Sequence, residues 1–230
     1  GSLRRMRAKT GQMAKLYYPL QKQRWFAEKA DIYCGAVLEF FAALKAADLH
    51  SRALTRFRSY LDDYLGSSDF MRLRAAVQEV LRNLDAIAYT VFIEGSTFTV
   101  RKFQDEPDYG EVVASVFEKF RQGEVRNYGT EFPNHPEMNH IEAKVLEFVA
   151  QLNPVAFEHL AQFETNFKDF EDKMVARFDR EIQFYLAYRA LMARFEAIDR
   201  RFCFPDMSTD KTVHCVDGFD AALGLMLLNM

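Results

Sequence analysis

The run VAFEHLAQFETNFKDFEDKMVARFDREIQFYLAYRALMARFEAIDR, Val155–Arg200, contains neither proline nor glycine. Its apolar residues Phe157, Leu160, Phe163, Phe167, Phe170, Met174, Phe178, Ile182, Tyr185, Met192 and Phe195 recur at threes and fours, which is the period of a helix with one apolar stripe. Unbroken, these 46 residues make a rod of roughly 70 Å. A compact chain of this length has a radius of gyration of about 17 Å, so a continuous rod must protrude from the rest. The polar patch NFKDFEDK, Asn166–Lys173, is where a turn would instead fold the rod into a pair of helices. Everything upstream and downstream is organised around this segment.

Working towards the N-terminus, most of the chain reads as helix, because ten glycines and six prolines fall between long stretches of Ala, Leu, Phe, Glu, Lys and Arg. Pro19 suits a helix start. After it Trp25, Phe26, Cys34, Val37, Leu38, Phe41 and Leu44 form an apolar stripe reaching about Ala47. Ser51 caps a second helix with Leu54, Phe57, Leu61 and Leu65 inside and Gly66 as its stop; Ser67 and Ser68 open a third with Phe70, Leu73, Val77, Leu81 and Leu84 inside. In IAYTVFIEGSTFTVRKF, Ile87–Phe103, the period changes to 2 and Gly95 sits midway, which predicts a β-hairpin at 87–103. A short helix is expected over Glu111 to about Arg121, then an irregular loop at 122–139, then a helix capped by Asn139 that Pro154 kinks or restarts. Beyond the long segment, Pro205 stops the helix near Arg201, TVHCVDGF (Thr212–Phe219) reads as a strand, and DAALGLMLLNM (Asp220–Met230) is an apolar end. The fold class is therefore mainly α: an elongated bundle of long helices with one small hairpin and a short C-terminal strand. The expected organisation is an N-terminal basic segment at 1–19, a helical domain at 20–205, and the start of a further domain at 206–230.

Composition narrows the function classes. The chain is 49% hydrophobic and 27% charged, which is the range of a folded globular protein. Its net charge of −3 supplies no overall basic field for nucleic acid or anionic lipid. The one local basic cluster, Arg4, Arg5, Arg7 and Lys9, is the candidate for DNA contact, and otherwise a solvated terminus. No window is long and apolar enough for a membrane helix, and no apolar signal segment follows the basic start. Cys34, Cys203 and Cys215 are widely spaced, with no Cys-x-x-Cys pair, so neither a disulfide framework nor a zinc site is indicated and a cytoplasmic location is expected. Gly1 stands without an initiating Met and reads as a residue left by tag cleavage.

Few residues invite catalysis. There is no Gly-x-x-x-x-Gly-Lys-Ser/Thr loop, no Gly-x-Ser-x-Gly and no His-Glu-x-x-His. One Glu-x-x-His, Glu137 to His140, has the spacing of a di-iron ligand pair, but such bundles need two copies and Pro136 marks a helix start. His50 and His159 read as ordinary helix residues. Asp62 with Asp63, and Glu171 with Asp172, are neighbours that point about 100° apart on a helix and so read as solvated faces. Two Phe-x-Glu triplets, Phe26-Ala27-Glu28 and Phe92-Ile93-Glu94, match a type that mismatch sensors wedge beside a base, at the level of chance. No catalytic, cofactor-binding or metal residue is assigned.

With the order of elements in hand, RFDREIQFYLAYRALMARFEAIDRRFCFPDMS (Arg177–Ser208) followed by TVHCVDGF resembles the helical core and lever region of the MutS family, the DNA mismatch repair ATPases. In that family a long lever helix runs back into the core, ends at an aromatic-Pro turn, and passes through a short strand into the ATPase domain. The likeness covers about residues 20 to 230. His214 is followed by Cys215 where family members often carry His-Pro, so the chain resembles a MutS-related branch.

The resemblance implies a mechanical role, in which the rod passes ATP-driven change to a part of the protein that encloses DNA. ATP and Mg are implied for the full-length protein and no cofactor for this chain, which on that reading lacks the ATPase domain and is not itself the enzyme. The implied partners are DNA and a second copy of the protein, giving a homodimer at full length, with no membrane. The competing expectation is a free-standing helical module that binds a partner protein through exposed aromatic surface, without DNA or ATP.

Overall fold

The computed structural model describes residues 2–95, 97–105, 138–207, 209–210 and 212–228. The short helix expected at Glu111–Arg121 and nearly all of the 122–139 loop, including Glu137, lie outside them. The described chain is mainly helical, with eight helices and one two-stranded antiparallel sheet. It divides into two compact units, Gly1–Phe170 and Glu171–Met230.

The first unit is built on one central helix. Helix α1 spans Ser2–Met13, α2 Pro19–Ala46, α3 Arg52–Leu65 and α4 Ser68–Asp85; α5 (His140–Leu152) and α6 (Pro154–Asn166) follow the hairpin. Helix α2 packs against α1, α3, α4 and α6, and α4 also packs against α6. The large residues Trp25, Phe26, Leu38 and Phe41 of the expected α2 stripe are only half-buried. The buried face is instead Ala27, Ala30, Tyr33, Cys34, Ala36, Val37 and Leu44. A helix with four neighbours needs small side chains where backbones come close, and large ones fit only in the gaps between neighbours. The expected basic segment at 1–19 is largely helix α1, with Met6 and, just after it, Leu16 buried.

Local chemistry sets the element ends. Ser67 Oγ accepts from the Phe70 amide at 3.2 Å at the start of α4. Asn139 opens α5 with a capping box: its Oδ1 accepts from the amides of Ile141 and Glu142, each at 2.9 Å, and Glu142 Oε2 accepts from the Asn139 amide at 2.9 Å. Pro154 restarts the chain as α6, occupying the first turn where its missing N–H leaves no bond unmade.

Strands β1 (Tyr89–Glu94) and β2 (Thr97–Lys102) pair from Tyr89 opposite Lys102 to Glu94 opposite Thr97. Gly95 takes φ 61° at the turn, a left-handed conformation that only glycine adopts without strain. The hairpin is held by β2 against α5, where the Phe98 and Phe148 rings lie 6.0 Å apart.

The second unit settles one open point of the sequence reading and corrects two others. First, of the two readings of Val155–Arg200, a continuous rod or a pair of helices, the pair forms. Helix α6 ends at Asn166, and α7 begins at Lys173 and runs to Glu196. The break falls in the Asn166–Lys173 patch, and Asp172 caps the new helix by accepting from the amides of Met174 and Val175 at 2.9 Å each. The rings of Phe167 and Phe170 explain the turn. Phe167 lies 5.0 Å from Phe163, and Phe170 packs on Phe26 and Tyr33 at 5.4 Å, contacts that draw both residues into the core of the first unit.

Second, α7 stops before Arg201. Asp199 adopts φ 59° and the Arg200 amide donates to the Phe195 carbonyl at 3.0 Å, closing the helix end without help from Pro205. Third, residues 212–219 pair with no strand among the described residues; Val213 and Val216 stand exposed. Alternation of β-branched residues specifies a strand only when a partner edge is offered. The apolar end becomes helix α8, Ala221–Leu228, capped by Asp220 Oδ1, which accepts from the Ala222 amide at 2.8 Å and the Leu223 amide at 3.1 Å.

Candidate functional site

Among the described residues, interacting polar and aromatic groups concentrate on α2 in the first unit. Arg24 and Glu28 are one turn apart, and Arg24 Nε donates to Glu28 Oε1 at 3.0 Å. Arg24 Nη2 also donates to Asp85 Oδ1 at 2.8 Å at the end of α4. From α1, Lys9 pairs with Glu28 Oε2 and places its Nζ 4.2 Å from the centre of the Trp25 ring. Four charges from three helices thus form one chain, Lys9–Glu28–Arg24–Asp85.

Its electrostatics are set by partial burial. Burial pushes the Arg24 guanidinium pKa down, but hydrogen bonds and charges from Glu28 and Asp85 outweigh it and hold it above the ordinary value. Burial pushes the Glu28 carboxyl up, and hydrogen bonds from Lys9 and Arg24 reverse this and hold it below the usual carboxylate range. Both groups stay ionised near neutrality.

Beside this chain opens a cleft of about 350 Å³. Leu20, Trp25, Leu146, Phe157 and Leu160 give it apolar walls, with Arg24 and Glu28 on one side. An apolar group held here gains from leaving water, while the charged wall is already internally compensated. Among the described residues no nucleophile–base pair lines it. A second hollow, near the start of α6, is bordered by Asn83, Lys102, Asn153 and His159.

The second unit carries a different constellation. Phe195, fully buried, meets Phe202 at 5.7 Å and Phe219 at 5.3 Å, and those two rings lie 5.4 Å apart. Gly224 of α8 completes the cluster, since a Cβ there would stand 2.5 Å from Phe195 Cε1. The far end of α7 is thereby clamped to the segment that follows it. Between its ends α7 is exposed on every side from Gln183 to Ala190, with Phe184 and Tyr188 stacked at 6.3 Å.

The residues singled out in the sequence scatter across this framework. Arg4, Arg5, Arg7 and Lys9 all fall on α1; Arg5 and Arg7 are exposed, whereas Lys9 is engaged by Glu28 and Trp25. His50 is exposed 3.4 Å from Asp48, and His159 is exposed. Asp62 and Asp63 are solvated, but Asp172 is the cap of α7, a role signalled by an aspartate directly before an apolar run. Phe26 packs edge-on against Phe163 and Phe170 in the core, and Phe92 lies on β1 under Arg101. His140 starts α5. Among the described residues no group of three His, Cys, Asp or Glu side chains could hold a metal, and no helix is long and apolar enough to cross a membrane.

The sequence reading missed the Arg24–Glu28 pair, for which the i,i+4 spacing is a local signal. Its links to Lys9 and Asp85, 19 and 61 residues away, had no local signal. No protein-family model, curated protein or solved structure matches the chain.

Proposed function

We propose that the chain is the helical core and lever segment of a MutS-related ATPase that acts on DNA. The likeness of Arg177–Ser208 and Thr212–Phe219 to that family suggests the identity. The observation that carries the mechanical part is the Phe195–Phe202–Phe219 cluster. A displacement applied at Phe202 or Phe219 acts on rings packed against Phe195 and not on a loose tether, so it is passed to the end of α7. The lever in this reading is α7 alone, 24 residues and roughly 36 Å long, the shorter of the two readings that periodicity left open. ATP, Mg, DNA and a second copy of the protein belong to the same reading as properties of the full-length protein.

The coding sequence beyond Met230 gives the first test: a Gly-x-x-x-x-Gly-Lys-Ser/Thr loop within about fifty residues supports the reading, and a stop codon overturns it. The functional test is binding of the full-length protein to paired and mispaired duplexes with and without ATP. A Phe195→Ala variant should hydrolyse ATP yet lose the nucleotide dependence of DNA binding.

A second reading, a protein-interaction module without DNA or ATP, is favoured by one observation. Phe184, Tyr185, Leu186 and Tyr188 are 47% to 68% exposed on consecutive faces of α7.

A further inference from the structure

The cleft beside the Lys9–Glu28–Arg24–Asp85 chain is too large to be slack packing. Protein interiors leave few voids bigger than one water molecule, whereas this one measures about 350 Å³, room for roughly ten waters at about 30 Å³ each. Four elements of the first unit wall it: Leu20 and Trp25 from α2, Leu146 from α5, Phe157 and Leu160 from α6, and Tyr89 from β1. An engineered apolar cavity of about 150 Å³ takes up benzene, so the volume here suits a molecule of about two rings.

The polar side of the cleft sets the charge of what it can hold. Lys9, Glu28, Arg24 and Asp85 sum to zero, so their pairing leaves no net field to draw in an ion. A ligand carboxylate would have to share Arg24 with Glu28 and Asp85 at close range, and an ammonium would face Lys9 and Arg24. Either ion would also give up its water shell against apolar walls. One donor is left over: Arg24 Nε donates to Glu28 and Nη2 to Asp85, while Nη1 has no acceptor among the described residues. Both Glu28 oxygens are engaged, Oε1 by Arg24 and Oε2 by Lys9. Between Arg24 and Glu28 the unspent group is therefore a donor.

We propose that this cleft binds an uncharged aromatic molecule of about two rings that carries a carbonyl acceptor, its rings against Trp25 and Phe157 and its carbonyl on Arg24 Nη1. Edge-on and offset contacts with the aromatic walls add to the burial. A small ligand in an open cleft gives an expected dissociation constant on the order of 100 µM. The site does not depend on the MutS-related reading.

Isothermal titration of the full 230-residue chain with 2-acetylnaphthalene, 2-naphthoate and 2-(aminomethyl)naphthalene tests it. The three share one pair of fused rings and differ in charge. The ketone should bind near 100 µM and each ion at least roughly 10-fold more weakly. Trp25 is the only tryptophan of the chain, so its indole N–H gives a single signal in a nitrogen-15 NMR spectrum, and the ketone should shift it.

Arg24→Met gives a readout that a mere loss of structure would not. It removes the donor and leaves the carboxylates of Glu28 and Asp85 against Lys9 alone, so the ketone should weaken roughly 10-fold while the ammonium compound gains and becomes the tightest of the three. Leu146→Phe narrows the cleft and should weaken all three at unchanged helix content by circular dichroism. Should Arg24→Met unfold, the wild-type charge series and Leu146→Phe decide between them. No ketone binding up to about 1 mM, an ion that binds the wild type more tightly than the ketone, a folded Arg24→Met chain without the exchange of preference, full binding by Leu146→Phe, or an unmoved Trp25 signal each overturns the proposal.

Discussion

The contact between Phe195 and Gly224 makes a prediction whose sign changes with background. Phe195 is fully buried against Phe202 and Phe219, and truncating such a ring to alanine costs about 3–5 kcal/mol. That loss falls on the docking of α8 and of the 202–219 segment, so it should read out as faster amide exchange there. The Gly224 amide donates to the Asp220 carbonyl at 2.9 Å in the native state; Phe195→Ala should speed exchange in α8 by roughly 10²- to 10³-fold, limited by the opening energy of that helix.

Gly224→Ala acts through the same contact. Its Cβ would meet Phe195 Cε1 at 2.5 Å, well inside normal packing, with Cζ at 3.4 Å, and the Phe195 ring is fully buried. Overpacking of this kind costs about 1–3 kcal/mol, against roughly 1 kcal/mol gained from replacing glycine within a helix. The net effect in the native background is a destabilisation of about 0–2 kcal/mol. In a Phe195→Ala background the clash is gone, only the propensity gain remains, and Gly224→Ala should stabilise α8 by about 1 kcal/mol. Hydrogen–deuterium exchange on the four proteins of this double-mutant cycle measures the reversal. Equal effects of Gly224→Ala in both backgrounds, or α8 exchange unchanged by Phe195→Ala, would refute the clamp.

Other expectations follow from single sites. Burial pushes the Cys34 thiol up to about 12, so a thiol reagent at pH 8 should find the exposed Cys203 and Cys215 in the native chain and a third group only in denaturant. Because the folded value lies above the unfolded one, the stability tied to Cys34 is complete below pH 9 and is lost as pH rises towards 12; alkaline unfolding should move to higher pH in Cys34→Ala. Glu28 behaves oppositely. Its folded pKa is lowered, so its contribution is present above the unfolded value of 4.5 and is lost as pH falls through the folded one. Acid titration of stability should therefore be shallower below pH 5 in Glu28→Gln. Removing the capping box with Asn139→Ala should destabilise the first unit by about 0.5–2 kcal/mol in denaturant melts, and Asn139→Asp should recover most of it.

The sequence determined most of what is local. Helix positions followed from three-and-four spacing, the hairpin from the change of period around Gly95, and the starts of α4 and α5 from Ser67 and Asn139, because each is decided by residues within a few positions of one another. What failed was whatever depended on a distant partner. Periodicity alone could not separate one 46-residue rod from α6 and α7, since Phe167 and Phe170 fit a helical stripe as well as they fit the pocket formed by Phe26, Tyr33 and Phe163. Residues 212–219 had strand composition but no strand to pair with. The Lys9–Glu28–Arg24–Asp85 chain joins three helices and the Phe195 clamp joins the end of one helix to the start of another. On its own, the sequence therefore determined most of the central helical segments and where they begin, but not the helices at the two ends, α1 and α8. Only the tertiary structure decided whether the long segment breaks and which side chains face one another across helices, because contacts between residues far apart in the chain outweigh local preferences of only a few tenths of a kcal/mol per residue.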